Sequence, residues 1–302
     1  MTAFETSLDA PLPNDSGHRF DDGRHWAASL ELGFETREGV TRMTRSRHRG
    51  PLRVQRPFHP EERPAEGRPG ACHVYLLHPP GGLVSGDALS IGARVGAKAH
   101  ALLTTPAANR LYKADSHGVA WHQHTRLHVA AEGVLEWLPQ ETLAFDGSRG
   151  EQVTEIALEG DARCLGWEVM ALGRPASALP FASGRIEQRF RLTRDGRPLW
   201  LERQPLDPAH PRFLGRWGQG GATVQATLWA VGLADEHEAV EALRETLGVS
   251  ICWAVTTRQG VLLLRYLGQE RNEAWDLCRR AWEILRPRLI GLPAHTPRIW
   301  LT

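Results

Sequence analysis

The chain has no long apolar run, no paired cysteines and almost no net charge, and each absence removes a class of function. No stretch approaches the roughly 18 apolar residues of a membrane span, and Met1 to Phe20 carries acids and prolines where a secretory signal needs a basic start and an apolar run. With 36 basic and 35 acidic residues the formal net charge is +1, so no global field draws the chain to nucleic acid or an anionic membrane. The four cysteines, Cys72, Cys164, Cys252 and Cys278, are scattered without a CxxC pair. They fit reduced, mostly buried thiols of a cytoplasmic protein better than a closed zinc site. Gly-x-Ser-x-Gly and His-Glu-x-x-His are both missing, which leaves nucleophilic and zinc-peptidase chemistry without a signature.

What is present is a β pattern. A length of 302 residues with 41% hydrophobics supports a sizeable core. Residues 1–25 are polar and punctuated by Pro and Gly, and are expected to be disordered; residues 26–302 read as one domain. Period-two alternation or short apolar runs mark Ala27 to Phe34, Cys72 to His78, Leu89 to Leu103, His122 to Val129, Val134 to Leu138 and Val153 to Leu158. Ile186 to Leu192 and Leu199 to Glu202 flank Arg194-Asp195-Gly196, a hairpin signal. Thr223 to Val231, Ile251 to Thr256 and Val261 to Tyr266 follow. Helices are expected only near 235–247, opened by Asp235 with Glu238, and near 272–286, ended by Pro287. The fold class is mainly β, with two helices near the C-terminus.

His78-Pro-Pro-Gly-Gly-Leu-Val-Ser-Gly-Asp87 has the glycine spacing of a phosphate loop, yet Asp87 stands where that motif needs its lysine. A carboxylate there repels a triphosphate, so Gly81 and Gly86 are assigned to backbone geometry beside a polar cleft. Four carboxylates, Asp87, Glu141, Asp146 and Glu168, each sit beside Gly, Pro or an aromatic residue at a strand end. Oxygen donors of this kind suit divalent ions held loosely, and equally suit the capping of turns. His122 and His124 share a strand face with Arg126 and His128 and are spaced to meet one metal ion, although the guanidinium between them disfavours a cation. A solvated polar face is the simpler account. Arg42 to Arg56 holds six arginines among fifteen residues without interleaved aromatics, a strand face or an acidic-partner surface more than an RNA site.

Several longer motifs occur in order. Arg47-His-Arg-Gly-Pro-Leu-Arg-Val-Gln-Arg-Pro-Phe58, the His78–Asp87 block, Leu103-Thr-Thr-Pro-Ala-Ala-Asn-Arg-Leu-Tyr-Lys113, Trp137-Leu-Pro-Gln-Glu-Thr142, Phe145-Asp-Gly147 and Pro297-Arg-Ile-Trp300 together resemble the UreD (UreH) family of urease accessory proteins. The resemblance spans about Trp26 to Trp300. It departs at Ala178-Leu179, where the family usually has Gly-Glu, and at Ser85, where many members have glycine.

The resemblance implies a β-helix-like body of many short strands and a non-enzymatic role. Such a protein acts with UreF and the GTPase UreG on apo-urease in the cytoplasm, with transient nickel(II) as cargo and no tightly bound cofactor. It further implies a polar internal passage for nickel, for which Asp87, Glu141, Asp146, Glu168 and His78 are the candidates and His122 and His124 weaker ones. Nucleic acid and membrane are not expected partners. A β-helical carbohydrate-active enzyme and a scaffold with no metal path are the alternatives.

Overall fold

The computed structural model describes residues 25–61, 70–174 and 177–301. The expectation for residues 1–25 therefore falls, His25 apart, outside the described residues. The body opens with β1 (Trp26–Arg37), β2 (Val40–Arg49) and the short β3 (Arg53–Val54). Four coils follow. The first is β4 (Cys72–Leu77), β5 (Gly82–Leu83) and β6 (Asp87–Val95), and the second β7 (His100–Thr104), β8 (Asn109–Leu111) and β9 (Trp121–Val129). The third is β10 (Val134–Leu138), β11 (Thr142–Ala144) and β12 (Arg149–Leu158), and the fourth β13 (Arg163–Leu172) and β14 (Arg185–Arg194). Beyond them lie β15 (Arg197–Leu206), α1 (Pro211–Leu214), β16 (Val224–Val231), α2 (Glu236–Leu247), β17 (Trp253–Arg258), β18 (Val261–Gly268) and α3 (Arg271–Ile290).

Each coil gives one strand to each of two facing sheets, and the strands of successive coils pair in parallel: β1-β6-β9-β12-β14 in one sheet, β4-β7-β10-β13 in the other. The short β5, β8 and β11 pair at a corner and join the end of β13. This is the β-helix-like architecture expected. Both ends are turned back: β2 caps the first sheet antiparallel at one end and β15 at the other, while β16, β18 and β17 extend the second sheet antiparallel. The β14–β15 hairpin turns through Asp195 (φ 49°) and Gly196 (φ 75°), two positive values that fit the signal read there.

Stacked coils carry equivalent positions one above another. An inward rung of Ala93, Leu127, Ile156 and Leu192 fills the space between the sheets with Val74, Leu103 and Leu135, and full burial of each Leu, Ile or Val contributes roughly 1.5–3 kcal/mol. A second apolar layer lies outside the β13–β16–β18 sheet, where Leu165, Trp167, Leu228 and Leu264 pack against Ala274, Leu277, Cys278, Trp282 and Leu285 of α3.

Three expectations need correction. Helix α3 continues through Pro287 to Ile290, because a proline in the last turn removes only one hydrogen bond; the stop is Gly291 (φ 81°), whose N–H donates to Pro287 O at 2.9 Å. A short third helix, α1, was not foreseen. The run from Leu89 to Leu103 is two strands in different sheets, broken by a turn whose Ala99 N–H donates to Gly96 O. The cysteines are free: burial holds the Cys72 thiol up at about 11 and those of Cys164 and Cys278 at about 12.

Candidate functional site

Three of the motif blocks meet inside the coil. His78 and Gly81 from the first, Thr105 to Asn109 from the second, and Trp137, Pro139, Gln140 and Thr142 from the third line one cavity of about 120 Å³. Leu89, Ile91, Gln123, Gln152, Glu168 and Gln188 complete much of its wall. A second chamber of about 40 Å³ adjoins it, lined by Gln204, Gln225, Thr227, Trp229 and Glu202. Glu168 and Gln188 line both. Trp137 Nε1 faces no protein acceptor among the described residues, so a water in the larger chamber is its natural partner.

The polar lining is built by the register. Gln123, Gln152, Gln188 and Gln204 are cross-strand partners in succession, one on each of β9, β12, β14 and β15, forming an interior ladder of amides. From the facing sheet Gln225 ties into it: its Nε2 donates to Gln188 Oε1 at 2.6 Å and to Gln204 Oε1 at 3.1 Å, and its Oε1 accepts from Gln219 at 2.7 Å. Asn109 Nδ2 donates to Gln123 Oε1 at 3.2 Å. Sequence reasoning missed this ladder entirely.

Glu168 is the acid that lines both chambers. Burial pushes its carboxyl up to about 7, the Glu202 carboxylate adds to the rise, and a 2.5 Å hydrogen bond from Thr154 Oγ1 works against it. His78 sits at the larger chamber, its imidazole pushed down by burial.

The other candidates do not converge. Asp87 accepts the Val84 N–H at 2.8 Å and closes the glycine turn; burial raises its carboxyl against that bond. Asp146 accepts from the N–H groups of Ala182 and Ser183 and from the Ser183 hydroxyl; burial opposes its charge, but these bonds hold the carboxyl low. Neither lines either chamber. Glu141 is buried between two lining residues and turns the other way, toward Arg271 at 3.5 Å, because alternation along the strand puts Gln140 and Thr142 on the cavity side. His122 and His124 lie on the outer face, opposite Gln123; His122 is exposed, and His124 Nε2 meets Glu155 at 2.7 Å while Arg126 meets its Nδ1. Among the described residues no three His, Cys, Asp or Glu side chains gather in a way that could hold a metal ion.

The glycines of the first block serve the backbone. Gly81 and Gly86 have φ of 74° and 85°, and a Cβ on Gly82 would stand 2.3 Å from Arg110 O. Ala178 and Leu179 are exposed and outside both chambers, so the departure from the family pattern does not touch the path.

A second buried polar group fastens the C-terminal helix. Glu136 accepts from His100 Nε2–H at 2.7 Å, from Trp282 Nε1–H at 2.5 Å and from Arg286 Nε–H at 3.0 Å. Arg286 also donates to Glu61 at 2.6 Å and to Pro293 O, and Glu61 in turn meets His73 at 2.9 Å. Burial alone raises a carboxyl; Arg286 first, then His100 and Trp282, bring Glu136 down to about 2. Nearby, Trp300 donates to Thr104 Oγ1 at 2.9 Å and packs among Trp167, Trp275 and Trp282, which explains the closing motif as a clasp.

No described helix is long and apolar enough to cross a membrane. The family model described as UreD urease accessory protein matches residues 27–301. The chain is 69% identical over 307 residues to a protein of Marinobacter nauticus named urease accessory protein UreD, covering all of both chains. It is 68% identical to one of that name from Chromohalobacter salexigens, over 95% of this chain and 92% of the relative. A Brucella anthropi protein named urease accessory protein UreD 2 is 43% identical, over 92% and 98%.

Proposed function

Because the chain belongs to the UreD urease accessory protein family, we propose that it is a non-catalytic assembly factor that helps load nickel into apo-urease. In this reading it acts in the cytoplasm together with UreF and the GTPase UreG, and nickel(II) is its cargo.

The observation that carries the reading is the adjacency of the two chambers, whose walls share Glu168 and Gln188, with the motif blocks of the resemblance along the larger one. The lining offers the carboxyl groups of Glu168 and Glu202, one imidazole and a series of amide oxygens. A borderline divalent ion exchanges water for such ligands without large gain at any one of them. Passage needs that weakness, because tight capture at one station would stop transfer to the next. Thr154 holds Oε1 of Glu168 in place and leaves Oε2 for the passing ion. His78 supplies a nitrogen ligand at the larger chamber, and burial favours the neutral ring that such ligation requires.

The test is a urease operon expressed with the gene, without it, and with Glu168→Gln, followed by metal analysis of purified urease. Urease short of nickel in the second and third cases is the expected result, with the accessory complex still formed by the variant. Full nickel content without the gene would reject the assembly role; full content with Glu168→Gln alone would leave a scaffold with no metal path.

A further inference from the structure

The connection from β15 to β16 holds an exposed tryptophan on an ordered platform. Trp217 is 91% exposed and Leu214 69%, while Phe213, just before Leu214, turns inward against Phe181. The loop does not hang free. Gly215 N–H donates to Arg212 O, Gly218 N–H to Gly215 O, Gln219 N–H to Phe213 O and Gly220 N–H to Gly215 O. The turn is so tight that a Cβ on Gly218 would stand 1.9 Å from Arg212 O.

Holding a large aromatic in water on a pre-formed loop stabilises nothing within the chain. It does lower the ordering cost of burying that ring against something else. The charges around it are of one sign. Arg216 stacks on Trp217 at 5.1 Å and Arg212 lies one turn away, and among the described residues neither is ion-paired. The one carboxylate of the loop, Asp207, accepts the Ala209 N–H of its own turn at 3.0 Å. The platform is also attached to the interior. Gln219, two residues after Trp217 and only 3% exposed, donates to Gln225, which joins the amide ladder at the smaller chamber.

We propose that the Leu214–Trp217 platform is a docking anchor for a protein partner that offers an apolar pocket ringed by carboxylates. Trp217 fills the pocket, and Arg212 and Arg216 meet the ring. Through Gln219, the anchor is joined by one hydrogen bond to Gln225, which lines the smaller chamber. The inference rests on the assembly reading and gives it a surface: the partner belongs to the urease maturation machinery.

The experiment compares the full chain alone with the chain co-purified with apo-urease and the other accessory proteins. Hydroxyl-radical oxidation of Trp217 is expected to fall sharply in the assembly. Trp217→Ala is expected to weaken capture by about thirtyfold or more, as loss of a central aromatic anchor does, with Tm unchanged because the ring is exposed. Trp217→Phe should recover part of the loss, and the Arg212→Glu, Arg216→Glu double variant should weaken capture most at low salt.

Unchanged capture by Trp217→Ala, or equal oxidation in both states, overturns the anchor. Protection that appears in the isolated chain as its concentration rises also overturns it, since the occupant is then a second copy. If the wild-type chain captures none of the urease machinery, the assembly reading itself falls. If wild type and Trp217→Ala capture it equally, only the anchor falls.

Discussion

Thr154 and Glu168 join the two sheets across the interior: the hydroxyl on β12 donates to the carboxyl on β13 at 2.5 Å. The bond holds in place the acid that lines both chambers. Its energetics can be read from pH.

Burial lifts Glu168 from 4.5 to about 7. Between those values the folded chain keeps a proton that the unfolded chain has lost, so this group's contribution turns against folding as pH rises from about 4.5 to 7. Glu168→Gln is therefore expected to gain about 1–3 kcal/mol at pH 8 and close to nothing at pH 4.5. Urea unfolding at the two pH values measures it. Equal shifts at both would mean that the carboxyl titrates normally.

The Glu136–Arg286 pair has the opposite sign. With its carboxyl held at about 2 against an ordinary 4.5, Glu136 stabilises the fold fully above about pH 4.5 and loses that contribution as pH falls toward 2. Arg286→Met leaves a buried carboxylate without its cation and is expected to cost about 3–5 kcal/mol at pH 7. The loss should shrink on acidification, because protonation relieves the stranded charge. A deficit independent of pH in chemical unfolding would assign the effect to packing alone.

Glycines differ in what they protect. A Cβ on Gly150 would meet the Trp121 ring at 2.2 Å, whereas Gly39, with φ of 70°, has nothing within 4 Å. Gly39→Ala is expected to cost about 1 kcal/mol from backbone strain alone. Gly150→Ala should exceed the roughly 1–3 kcal/mol of ordinary overpacking, because backbone and ring both block the site. Thermal unfolding of the two variants checks the contrast; similar losses would show that the coil gives way at Trp121.

On the outer face His122→Ala and His124→Ala are expected to leave the nickel content of urease unchanged. The His124–Glu155 contact is partly exposed and worth no more than about 1 kcal/mol. Metal analysis of the purified urease decides it, and a drop in nickel would move the passage from the interior to this face.

Strands with one wet and one dry face were legible because alternation shows directly in the residues: β9 and β12 appear in the sequence almost as they fold. Strand β13 was not. Its inner side faces the coil interior and its outer side lies under α3, so after Arg163 the strand is apolar on both sides, interrupted only by Glu168, and shows no period. It was absent from the expected strands although it carries Glu168. The amide ladder escaped for a different reason. Gln123, Gln152 and Gln188 are separated by 29 and then 36 residues, since the corner loops differ in length, and no fixed repeat announces that they stack. Glu168, named for its neighbours, lines both chambers, and His78, named through the resemblance, lines the larger one. Glu141 was named on the same ground as Glu168 and faces Arg271, because one step along a strand exchanges inside for outside. Nor does composition separate the tryptophans: Trp217 is exposed and Trp229 wholly buried beside Phe190.

The last rung of the first sheet has a further consequence. Strand β15 runs against β14 and places Pro198 and Pro205 on the sheet's outer edge. Parallel coils left open would present a template on which identical molecules add end to end without limit. A reversed edge with two missing N–H donors terminates that growth. The solenoid is finite by construction, and copies of it resist stringing together into fibres even where the protein is abundant.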